Sequence, residues 1–222
     1  MSPELEEFLG AEDLDDVLRA LQRLTSFDAE DAAAVSSVLQ AWQNPQAVSN
    51  LLMHPMLIPD EIRLASLFRG LAERRVAYYI LAAAVGFQSV DPVRMTAADR
   101  RRAMEELLVL IRQTSGILAQ RSSVSIQQFL SVDDAPRVFA LWAHRDDTVW
   151  HNLRAWLFRT FQPRGVEPFT LAAGESGLAE GVQRRLVEDF TELVANPTES
   201  YDSHLAELLG YIPNLRDCRA EH

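Results

Sequence analysis

Thr96-Ala97-Ala98-Asp99-Arg100-Arg101-Arg102-Ala103-Met104-Glu105-Glu106-Leu107-Leu108-Val109-Leu110-Ile111 decides the class of fold. Thr96, with Asp99 three residues on, resembles a capping box that carries Asp in the Glu position, so the chain enters a helix here. Ala103, Leu107, Leu110 and Ile111 recur at helical spacing and fall on one side of that helix, with Leu118 continuing the side. Arg100, Arg101 and Arg102 stand in its first turn, where the helix dipole disfavours cations. Such a placement calls for an acidic neighbour, from this chain or from another.

The same signals recur on both sides of this stretch. Ser2-Pro3 opens a short helix, with Ser as cap and Pro in the first turn. Leu14, Val17, Leu18 and Leu21 predict a second helix at roughly 13–24. Asp28 caps a third across 29–43, with Ala32, Val35, Val38, Leu39 and Trp42 on one stripe, and Asn44-Pro45 ends it. Pro59-Asp60-Glu61 begins a helix that runs through Ile62, Ala65, Leu67 and Phe68 to about Gly70. Residues 72–87 form a helix buried on most sides. Ser122 to Val132 is read as helix, although Val124 and Ile126 alternate with serine. Asp134-Ala135-Pro136 starts a helix to about His144, and Asp146 and Asp147 cap another at 148–161. Further helices are expected near 177–195 and 200–209.

This is an all-α pattern of about ten helices joined by short loops. The loop Pro163 to Thr170 is the best internal boundary. It divides 1–164, a helical repeat or bundle with acidic N-terminal helices, from 165–222, a helical cap packed on it with a loosely ordered tail at 211–222.

Asp60 through Leu71 resembles the second helix of a HEAT repeat: an acidic opening, then Ile62, Arg63, and Ala and Leu at later helical positions. Asp134 through Trp156 resembles a whole HEAT hairpin, with Pro136 in the first helix, Asp146-Asp147 in the turn, and Val149, Leu153 and Trp156 in the second. Trp150 stands there where Arg is usual. Ile62 and Val149 are 87 residues apart, about two periods, and the intervening position near Met104 lacks the pattern. The resemblance implies a HEAT- or armadillo-like right-handed stack of helical hairpins that exposes a curved surface to a partner protein. An irregular multi-helix bundle is the alternative architecture.

Charge and composition narrow the chemistry. The net charge is −11, and all 21 basic residues of the 222 are arginine. A chain without lysine has no lysine Schiff base, lysine general base or P-loop lysine. GC-rich coding explains the lack most simply; selection against lysine modification is the sharper explanation. Residues 1–62 hold 12 acids and 2 arginines, 63–164 hold 9 acids and 15 arginines, and 165–222 hold 11 acids and 4 arginines. The basic middle is therefore either neutralised by the acidic ends or offered to an acidic partner.

The motifs of catalysis are largely missing. Cys218 is the single cysteine, which excludes an internal disulfide and multi-cysteine metal sites and reads as a surface thiol. His54, His144, His151, His204 and His222 include no pair at the spacing of a helical metal site. Gly174-Glu175-Ser176-Gly177 falls short of a nucleophile elbow, because Leu178 takes the place of the last glycine. No metal and no cofactor is expected. The acidic start lacks a secretory signal, and the apolar run Val76 to Val85 is shorter than the ~20 residues of a transmembrane helix, so no membrane span and a cytoplasmic location are expected.

The functional expectation is a non-catalytic interaction module, an adaptor or scaffold that recognises an acidic protein through an Arg- and aromatic-rich centre. Its candidate contacts are Arg74, Arg75, Arg100, Arg101, Arg102, Trp142 and Trp150. One alternative is a small-molecule-binding or enzymatic helical bundle whose pocket uses His144, Asp146, Asp147 and His151. Another is a nucleic-acid-binding helical repeat, disfavoured because the overall negative charge repels phosphate.

Overall fold

The computed structural model describes residues 1–73 and 77–131 and, singly, Asp134, Arg137, Val138, Leu141, Val149, Asn152, Leu153 and Trp156. Among the described residues the regular elements are all helical, and no strand occurs. In order they are α1 (Pro3–Gly10), α2 (Leu14–Arg23), α3 (Ala29–Ala41), α4 (Pro45–Met53), α5 (Asp60–Ala72), α6 (Ala77–Gly86), α7 (Ala97–Gln113) and α8 (Gly116–Ser125), with 3-10 turns at Pro55–Leu57, Phe87–Ser89, Pro92–Arg94 and Ile126–Gln128. All belong to one compact unit, Met1–Leu130; Ser131–His222 forms a second. The helices expected at 177–195 and 200–209, the tail 211–222 and the boundary near residue 165 lie outside the described residues. So does most of the expected hairpin from Asp134 to Trp156, although its Val149, Leu153 and Trp156 are helical and buried.

Local chemistry explains where the helices begin. The side chains of Ser2, Asp13, Asp28, Asn44 and Thr96 each accept a backbone N–H from the first turn that follows, satisfying donors the helix itself cannot. Half of the expected capping box at Thr96 is present: Asp99 N–H donates to Thr96 Oγ1 at 3.1 Å, while the Asp99 carboxylate accepts the Thr96 hydroxyl at 2.7 Å in place of the Thr96 backbone N–H that a full box would give it. Acidic residues occupy the first turns of α1, α2, α3 and α5, where the dipole favours them.

Two expectations are corrected and one helix is added. Residues 45–53, assigned to no element by sequence, form α4, whose Ala47, Val48, Ser49, Asn50, Leu51 and Leu52 are all buried. Asn44-Pro45 both ends α3 and starts α4. The side expected to run from Ala103 to Leu118 stops at Gln113, since the chain turns through Gly116 at φ +61° and reverses into α8. A glycine adopts that left-handed conformation without the Cβ clash. In α2, Val17 and Ala20 are buried, whereas Leu14 and Leu18 of the expected stripe are 65% and 45% exposed.

Helix α6 is the hub. It packs on α4, α5 and α8, and small residues let those backbones approach. A Cβ on Gly86 would overlap the Leu52 carbonyl oxygen, and one on Gly70 would lie 2.8 Å from Ala83 Cβ. Ala82, Ala83 and Ala84 are buried along α6. On α8, Ser125 Oγ donates to Ala84 O at 2.5 Å and so ties the two helices together. Phe68, Phe87 and Phe129 form a row with ring centroids 5.4 and 5.8 Å apart. At the other end Asn50, fully buried, donates to Phe8 O and Ala11 O at 2.9 Å each, closing the C-terminus of α1.

Candidate protein-docking surface

The arginines of α7 divide by what they touch. Arg102 is engaged within the fold: its Nε donates to Glu106 Oε1 at 2.8 Å, and its guanidinium lies 4.0 Å from the centroid of the Phe68 ring. The cation over the ring face is favourable, so this side chain covers the end of the phenylalanine row. Arg100 and Arg101 are exposed, and among the described residues no carboxylate pairs with either. The same holds for Arg112 on α7 and Arg121 on α8.

Four acids of the N-terminal segment are engaged within it. Glu7 holds Arg23 at 3.0 Å, Asp16 holds Arg19 at 2.5 Å, and Glu30 pairs with the Met1 ammonium. Asp31, 2% exposed, accepts the Ser2 N–H at 2.6 Å. That backbone hydrogen bond holds its carboxyl below the usual range against the opposing effect of burial. These four acids serve the N-terminal helices, and among the described residues no carboxylate pairs with Arg100 or Arg101.

Helical spacing sets out the rest of the face. Ala98, Arg101, Glu105, Val109 and Arg112 follow one another at three or four residues on the side of α7 opposite Ala103, Leu107 and Ile111, which are buried. On α8 the outward residues are Ile117, Arg121 and Val124. Arg112, Arg121 and these apolar residues were not among the sequence candidates. The three-and-four spacing that exposed the buried side of α7 also marks its opposite side, and that signal could have found Arg112.

Arg74, Arg75, Trp142, Trp150, His144, Asp146, Asp147 and His151 lie outside the described residues. One aromatic from the same stretch, Trp156, is buried and serves the core. Within the first unit, a cleft of about 220 Å³ is lined by Asp60, Arg63, Leu64, Asp91, Arg94 and Met95 among others. Its charges are paired within their own segments. Arg63 contacts Asp60 at 2.5 Å and donates to Pro55 O and Ile58 O, while Arg94 stands 3.7 Å from Asp91. Arg63 therefore fastens the loop before α5 and is not presented to a ligand. Among the described residues no group of three His, Cys, Asp or Glu could hold a metal ion, and no helix is long and apolar enough to cross a membrane.

In comparison with known proteins, the chain matches no family model, no curated protein and no solved structure.

Proposed function

We propose that this chain is a non-catalytic docking module, an adaptor that recognises an acidic protein through the outward face of α7, in a cytoplasmic setting. The observation that carries the reading is the pair Arg100 and Arg101. Two cations stand exposed in a helical first turn, where the dipole disfavours them, and among the described residues no carboxylate forms an ion pair with either. A planar guanidinium presents paired donors suited to carboxylates, so an acidic partner gains there what the isolated chain lacks. A HEAT-like stacking of hairpins suits the same reading: α5 carries the acidic opening, Ile62 and Arg63 of that repeat type, and the tight α7–α8 reversal is a helical hairpin.

The test is affinity capture from native lysate with the full chain as bait, comparing wild type with Arg100→Ser/Arg101→Ser. Arg102 is left in place because it supports Phe68. Recovery of the specific partner should fall about tenfold, equivalent to about 1.4 kcal/mol. Equal recovery by the two baits counts against this surface.

A further inference from the structure

Helix α3 is held differently from its neighbours. Of its 13 residues only Asp31, Val35 and Leu39 are buried, whereas α4 buries six consecutive residues of nine and α6 five of ten. It packs chiefly on α4. Among the described residues its polar ties to other segments sit at its two ends. At the start, Glu30 pairs with the Met1 ammonium and Asp31 accepts the Ser2 N–H at 2.6 Å. At the finish, Leu39 O accepts from Arg69 Nη1 at 3.2 Å, and the Arg69 guanidinium lies over the Trp42 ring. Between the ends, the hydroxyls of Ser36 and Ser37 donate to Ala32 O and Ala33 O at 2.8 and 2.9 Å. Those groups are satisfied inside α3 and would travel with it.

The flanks suit a hinged element. Thr25, Ser26 and Phe27 before α3 are exposed, as is Gln43 after it. Trp42 closes the helix in the left-handed region at φ +52°, where a Cβ crowds the following carbonyl oxygen. Strain of that kind persists only while surrounding contacts impose it, and it relaxes once Trp42 leaves Arg69. The next helix does not depend on α3. Asn44 caps α4 from its own side chain, and Asn50 ties α4 to the end of α1.

We propose that α3 is a strap that lifts as one unit, about hinges at residues 24–27 and 42–43, while the helices around it stay folded. Lifting bares Val35, Leu39 and the side of α4 on which α3 packs. Little apolar surface is exposed, so this opening costs far less than global unfolding. Arg69 and Asp31 are the latches at its two ends.

Native-state hydrogen exchange of the full chain, followed residue by residue at denaturant concentrations below the unfolding transition, reads the opening. Amides of residues 33–42 should exchange about a hundredfold faster than those of α4 and α6, as expected of a sub-global opening. Their rates should barely change as denaturant is added, because the slope follows the surface exposed. Protection equal to that of α4, with the same steep slope, would mean that α3 opens only when the whole unit unfolds, and the strap would be refuted. Arg69→Ala separates lifting from fraying. Amides at the far end of α3, Val35 to Ser37, should quicken about tenfold, together with those of Leu39 to Trp42, when that single latch is lost. Quickening confined to the last turn would show a fraying terminus in place of a strap and would overturn the proposal.

Discussion

Asn50 and Gly86 show how much a single position carries in this fold. Asn50 sits fully buried on α4 and fills two carbonyl acceptors of the α1 terminus, while its own oxygen accepts from Gln46. Asn50→Ala leaves both carbonyls without that partner in a dry setting, where an unsatisfied group costs about 1–3 kcal/mol. Denaturant unfolding should show a loss of about 2–4 kcal/mol. Gly86 allows α6 to lie against the Leu52 carbonyl. In Gly86→Ala the new methyl meets backbone, which cannot rotate away as a side chain can. The expected loss is about 3 kcal/mol or more, and a melting curve equal to wild type would contradict this account of the α4–α6 approach.

At the scale of the element, α3 is fastened at both ends and only sparsely between them. Its first turn receives Ser2 N–H on Asp31. Its last turn is held by Arg69, whose Nη1 donates to Leu39 O at 3.2 Å and whose guanidinium lies 4.2 Å from the Trp42 ring centroid. Trp42 ends the helix at φ +52°, an uncommon conformation for a bulky residue, and its ring meets that of Tyr79 at a tilt of 60° with centroids 5.3 Å apart. Arg69→Ala should lower stability by about 1–2 kcal/mol. Hydrogen exchange should quicken in the last turn of α3 more than in α4. Equal acceleration in both helices would show that Arg69 acts globally and not on that terminus.

On the whole molecule, the shifted groups set the acid side of the stability curve. Burial pushes the His54 imidazole below its ordinary value, so the folded state favours the neutral ring; its stabilisation is complete above about pH 6.5 and drains as pH falls through the lower folded value. Asp31 is also held low, so its contribution is complete above about pH 4 and is lost at still lower pH. Stability should therefore fall in two stages on acidification. His54→Gln should abolish the first stage and Asp31→Asn the second, as read from unfolding midpoints across pH. The arginine face makes a further prediction. Arg100→Ser/Arg101→Ser should unfold at the wild-type midpoint or slightly above it, since it removes cations from the positive end of a helix. Arg102→Ser should lose about 1 kcal/mol with its ring contact and its Glu106 pair. Equal losses in the two variants would make the exposed pair structural.

What the chain determines locally was readable from it. The caps at Ser2, Asp28 and Thr96, the prolines and the buried side of α7 are set by hydrogen bonds and side-chain periodicity within a few residues, so they place helices without reference to the rest of the molecule. The pair Arg100 and Arg101 was legible in the same way, because its conflict with the helix dipole is local. Only the tertiary structure decided which apolar residues are covered. Leu14 and Leu18 belong to the same periodic pattern as Val17, yet α1 shelters only one side of α2. Only the tertiary structure separated Arg102 from its neighbours, because Phe68 is 34 positions away in sequence and reaches it through packing. Periodicity specifies a direction around a helix, whereas burial and charge pairing depend on what another segment brings to that direction.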